Sequence, residues 1–85
     1  MKTLSYTITD EQGIHARPAG ELVKVAKTFT SEIKIGKDEK MVDCTKIFGI
    51  MGLGAKKGDT VNFSFSGEDE EEAFTAVEEF MKANL

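Results

Sequence analysis

The chain is expected to fold as an α+β domain, and three observations carry that expectation. Stretches near the amino end, in the middle and in the third quarter of the chain alternate apolar and polar residues with the period of two of a half-buried strand. Two other stretches place their apolar residues at helical spacing. With 85 residues, 40% hydrophobic and 31% charged, there is material for one modest core and not for two, so residues 1–85 are expected to form a single domain.

Taken in order, Lys2 to Ile8 sets Leu4, Tyr6 and Ile8 on one side and Thr3, Ser5 and Thr7 on the other, a first strand that Asp10-Glu11-Gln12-Gly13 ends. A helix follows from Ala16 to about Thr28, with Ala19, Leu22, Val23 and Ala26 on its apolar stripe and Lys24 and Lys27 off it. Glu32–Ile35 reads as a second strand, Gly36-Lys37-Asp38-Glu39 as a turn, and Lys40–Asp43 as a third strand that completes a hairpin. A short helix is expected over Thr45–Leu53. Its Ile47, Phe48, Ile50 and Met51 are more apolar side chains than the narrow inner stripe of so short a helix needs, which reads either as a segment that is simply buried, the commoner case, or as an apolar patch for a partner. Thr60–Phe65 alternates again, with Val61, Phe63 and Phe65 on one side. A last helix places Ala73, Phe74, Val77, Phe80 and Met81 at core-facing spacing and ends near Asn84. The order is β-α-β-β-α-β-α, without repeat or low-complexity linker.

Charge and cysteine content narrow the function. Residues 1–67 carry ten basic and eight acidic side chains, and residues 68–85 one and seven. That balance argues against a nucleic-acid binder, while a mildly basic face remains for an acidic partner. The single cysteine, Cys44, allows no internal disulfide and suits a reducing compartment, with its burial left open. Met1 to Asp10 alternates instead of running apolar, so neither a signal peptide nor membrane insertion is expected, and the cytoplasm is the expected location. The acidic run Glu68–Glu72 could suggest a metal site, but consecutive carboxylates do not converge on one point, and a helix N-terminus attracts them. No metal is expected. Gly49, Gly52, Gly54 and Gly58 match neither a phosphate-cradling loop nor a dinucleotide fingerprint.

The chemistry concentrates in Gly13-Ile14-His15-Ala16-Arg17-Pro18-Ala19-Gly20, which holds the only histidine, arginine and proline of the chain. A neutral imidazole is a nucleophile near pH 7 and can carry a phosphoryl group reversibly. Arg17 supplies a permanently charged, forked donor for phosphate oxygens. Pro18 suits the first turn of a helix, whose free amides and positive dipole end would then point back at His15. A lone histidine before a helix is more often a surface residue or cap; the combination with Arg17 and Pro18 favours chemistry.

This segment resembles the active-site signature of the HPr family, the histidine-containing phosphocarriers of the bacterial phosphoenolpyruvate:sugar phosphotransferase system, and the resemblance extends over essentially the whole chain. It implies an open-faced β-sandwich: a four-stranded antiparallel sheet with three helices on one side. It implies further that His15, through Nδ1, accepts a phosphoryl group from enzyme I and passes it to enzyme IIA of sugar permeases, Arg17 stabilising the transferred charge. No cofactor is implied, and the carrier is expected to be a monomer. A carrier that acts with enzyme I and enzyme IIA is expected rather than a self-contained enzyme, since no second acid/base group or substrate-pocket signature accompanies His15. Ile47, Phe48 and Met51 correspond to the family's partner surface; Lys24 and Lys27 read equally as a basic rim beside it or as ordinary solvated lysines on a helix face. Gly20 stands where a small non-glycine residue is usual, which bears on a partner contact. Lys46 stands where one type of HPr carries a serine phosphorylated by a regulatory kinase, so that control is expected to be absent; Thr45 is out of register with that site. A paralogue serving another phosphorelay, such as the nitrogen-related branch, would show the same motif, and a pure interaction module would have no need of the His15–Arg17 pair.

Overall fold

A computed structural model describes residues 1–85 as four strands and three helices: β1 (Lys2–Thr7), α1 (Ala16–Lys27), β2 (Glu32–Lys37), β3 (Lys40–Asp43), α2 (Ile47–Met51), β4 (Thr60–Ser66) and α3 (Glu70–Asn84). The strands form one antiparallel sheet in the order β1-β4-β2-β3. β4 therefore lies between β1 and β2, which run parallel to each other and are joined through α1.

Period-two alternation decides which way the sheet faces. In β4, Val61, Phe63 and Phe65 are buried between Thr60, Asn62, Ser64 and Ser66, which are exposed or half-buried. Ile33 and Ile35 of β2 extend the same apolar face. The helices cover this face: Leu22 and Ala26 of α1, Ile50 of α2, and Ala73, Val77 and Met81 of α3 are all buried in one cluster with it. Phe65 stacks on Phe63 at a centroid distance of 6.1 Å and meets Phe74 edge-on at 5.7 Å. The opposite face is polar, with Ser5 Oγ donating to Asn62 Oδ1 at 2.7 Å and the hydroxyls of Thr7 and Thr60 3.0 Å apart.

Two boundaries differ from the sequence expectation. The hairpin turn is tighter than Gly36–Glu39, because Gly36 and Lys37 continue β2 and pair with Met41 and Lys40. Gly36 is buried, and a Cβ there would collide with Met41 and the Lys40 carbonyl, so the glycine serves close packing across the hairpin. Asp38, at φ 58°, takes up the turn. The second helix is also shorter than Thr45–Leu53. Asp43 Oδ1 accepts from Thr45 N at 2.8 Å and from its hydroxyl at 2.7 Å, a local turn that holds Thr45 and Lys46 outside the helix. No helix of the molecule is long and apolar enough to cross a membrane.

Candidate functional site

The loop between β1 and α1 is fixed from both sides before it reaches His15. Thr9 N and Asp10 N donate to the carbonyl of Leu85 at 2.6 and 3.0 Å, and Ile8 N donates to Asp59 O at 2.9 Å. Ile14 N donates to Ala55 O at 3.0 Å, and the Ile14 side chain is buried in the core. This approach requires a glycine before it: Gly13 has φ 66°, and a Cβ there would lie 2.7 Å from the Lys56 Cα.

His15 emerges from this clamp as the N-cap of α1, in extended conformation (φ −115°, ψ −173°), with its ring half-buried and making no capping bond. Its carbonyl accepts from Ala19 N at 3.0 Å, which closes the first helical turn. Pro18 sits at the third helical position and is buried. Proline has no N–H, so the free amides at this helix end are those of Ala16 and Arg17, next to the imidazole. Together with the dipole of a twelve-residue helix that has no acidic residue in its first turn, they give His15 a setting favourable to an added anion.

Arg17 lies in the same first turn with its side chain 60% exposed. Its Nη1 donates to Glu21 Oε2 at 3.2 Å and Oε1 at 3.3 Å. Glu21 was not among the residues singled out from sequence, although the spacing of four between Arg17 and Glu21 on a helix is the signal that marks such a pair.

Further residues share the Arg17 face of α1 at increasing distance from His15. Arg17, Gly20, Lys24 and Lys27 fall at spacings of three, seven and ten, hence on one face of α1, and both lysines are exposed. Gly20 is where α2 docks: a Cβ on it would lie 3.7 Å from Ile47 Cδ1. At 1.5 Å per residue, that contact is roughly 7–8 Å along the axis from His15. In α2, Ile50 is fully buried and Ile47 half-buried, whereas Phe48 is 86% exposed and Met51 39% exposed. Lys46, exposed, is the N-cap of α2.

Other polar groups lie apart from His15. The acidic run is divided among separate structural tasks. Asp69 accepts from Thr30 N at 2.9 Å, Ser31 N at 2.8 Å and the Ser31 hydroxyl, which hold its carboxyl down at about 2. Glu70 accepts from Gly67 N at 3.1 Å and pairs with the N-terminal ammonium at 3.1 Å. Cys44 is buried beside the sheet, and burial, reinforced by the Asp43 charge, pushes its thiol up to about 12.

Against known proteins, the family model described as the PTS HPr component phosphorylation site matches residues 2–83. The phosphocarrier protein HPr of Lysinibacillus sphaericus is 44% identical over 77 residues, covering 91% of this chain and 88% of that protein. Among solved structures, HPr-C-His from Thermoanaerobacter tengcongensis aligns with a TM-score of 0.93 at 41% identity, over 98% of this chain and 93% of that one. The HPr dimer of the same organism aligns at a TM-score of 0.78 and 41% identity, over 98% and 95% of the two chains.

Proposed function

The chain belongs to the HPr family of phosphocarriers of the phosphotransferase system, and from that premise we propose that His15 takes a phosphoryl group from phosphorylated enzyme I and delivers it to enzyme IIA units of sugar transporters. The observation that carries this reading is His15 at the N-cap of α1 with Arg17 in the first turn behind it. An imidazole nitrogen, Nδ1 in the family, attacks phosphorus as the donor's bond to it breaks; delivery reverses the step onto the acceptor. The Ala16 and Arg17 amides, the helix dipole and the Arg17 guanidinium all favour the charge that His15 gains. No metal or cofactor acts on the carrier itself.

The exposed Phe48 and Met51, with half-buried Ile47 seated beside Gly20 of α1, form in this reading the surface on which both partners dock. Lys24 and Lys27 extend the positive charge of Arg17 along one helix face and suit acidic partners. A shuttle must exchange partners quickly, which favours a small docking surface; in this reading the carrier is a monomer of the cytoplasm.

Incubation with phosphoenolpyruvate, Mg²⁺ and a cognate enzyme I should add one phosphoryl group by intact mass, stable at neutral pH, lost in acid and absent from His15→Ala. In the same assay Phe48→Ala should be phosphorylated more slowly while unfolding at the wild-type denaturant concentration. No acid-labile adduct on the wild type would refute the carrier reading.

Lys46 occupies the place of the family's regulatory serine, and it cannot be esterified by a serine kinase. A phosphoserine there would bring nearly two negative charges; Lys46 brings one fixed positive charge. Regulatory control through that position is absent in this reading. Incubation with an HPr serine kinase and ATP should leave the mass unchanged, and modification at Thr45 would contradict the proposal.

A further inference from the structure

Arg17 is engaged before any phosphoryl group arrives. Its Nη1 holds both carboxylate oxygens of Glu21, at 3.2 and 3.3 Å, whereas Nη2 and Nε have no hydrogen-bond partner within the chain. Two positive influences meet at this helix end, the dipole and the guanidinium, and no acidic side chain occupies the first turn. Glu21, four residues along α1 and roughly 6 Å further up its axis, is thus the counterion of Arg17 in the unphosphorylated protein. His15 lies on the other side of Arg17, toward the N-terminus. The two anions that Arg17 can serve therefore lie on opposite sides of it along the helix axis.

We propose that Glu21 is a positioning residue for phosphoryl transfer: it is the resting counterion from which a phosphoryl group on His15 must draw Arg17, and it thereby loosens the carrier's hold on that group. The inference rests on the carrier reading above. The pair is suited to exchange. Its side chains are 60% and 45% exposed, and a cation placed N-terminal to its carboxylate is the weaker order of the two on a helix. Such a pair biases an equilibrium about twofold and yields to a dianion. The arrangement favours delivery over storage, as a shuttle requires.

The test is a direct competition. Unlabelled Glu21→Gln and ¹⁵N-labelled wild type are mixed in equal amounts with catalytic enzyme I and limiting phosphoenolpyruvate, so that the phosphoryl group distributes between them, and both are read by intact mass at neutral pH. The phosphorylated fraction should favour Glu21→Gln by about twofold, the bias expected of an exposed pair at this spacing. In an Arg17→Ala background the same comparison should give no preference. A ratio at or below one overturns the proposal. So does a preference that persists without Arg17, because Glu21 would then act on the phosphoryl group directly. If enzyme I loads neither protein, the carrier reading fails, and the inference is judged by titrating inorganic phosphate against the Ala16 and Arg17 amide resonances. About twofold tighter binding by Glu21→Gln supports it; equal affinity, or no binding to either protein, overturns it.

Discussion

Cys44 shows how an intrinsically reactive side chain is silenced by its surroundings. A thiol becomes a nucleophile only as thiolate, and burial among apolar side chains removes the water that would stabilise that charge. With its thiol pushed up to about 12, only about one molecule in ten thousand would be thiolate at pH 8. Iodoacetamide at pH 8 should accordingly leave the native protein unlabelled over a period in which the urea-unfolded chain is fully alkylated, as followed by mass. His15 is the opposite case: half-buried, without a capping bond, and set at a helix end where an added negative charge is welcome.

At the scale of elements, the contact between α1 and α2 is built on a glycine whose backbone does not require one. Gly20 lies within a regular helix, where glycine costs about 1 kcal/mol relative to alanine. A methyl group there would meet Ile47 Cδ1 at 3.7 Å, an ordinary van der Waals distance. Gly20→Ala should therefore stabilise the protein by about 1 kcal/mol, raising the melting temperature by roughly 4–8 °C for a domain of this size. Calorimetry checks this. A fall in melting temperature would mean that Ile47 cannot accept the methyl group. Gly13 offers no such gain, since both its positive φ and the Lys56 backbone oppose a side chain.

At the scale of the whole molecule, distant segments are tied together at points that support the site from a distance. The Leu85 carbonyl receives the amides of Thr9 and Asp10, so the end of α3 holds the loop that leads to His15. Asp69, at the start of the same helix, binds the segment that follows α1 through Thr30 and Ser31. The folded pKa of Asp69 is lowered from 3.8 to about 2, first by the Ser31 hydroxyl and then by the Thr30 amide. A depressed carboxylate stabilises the fold fully above its unfolded value and loses that contribution as pH falls through its folded value. The stability advantage of wild type over Asp69→Asn, from urea unfolding, should be constant from neutral pH down to about pH 4 and shrink as pH approaches about 2. An advantage that stays constant below about pH 3 would show that the tie does not depend on the carboxylate charge.

The sequence by itself determined the α+β class and all seven elements, because alternation and helical spacing are local consequences of which side chains must leave water. It also marked His15 and Arg17, since a lone histidine, arginine and proline within four positions are visible without a fold. The limits of β2 and α2 were less legible. Gly36 reads as a turn residue in isolation, and its role in packing beneath Met41 exists only once the hairpin has closed. Tertiary structure alone decided that Ile50 turns inward while Phe48 stays in water, that Cys44 is buried, and that Leu85 closes over the loop at Thr9. It also placed the Arg17 guanidinium on Glu21. The spacing of four permits that pair, but whether the side chains meet depends on what else competes for the cation, and competition between charges is settled in three dimensions.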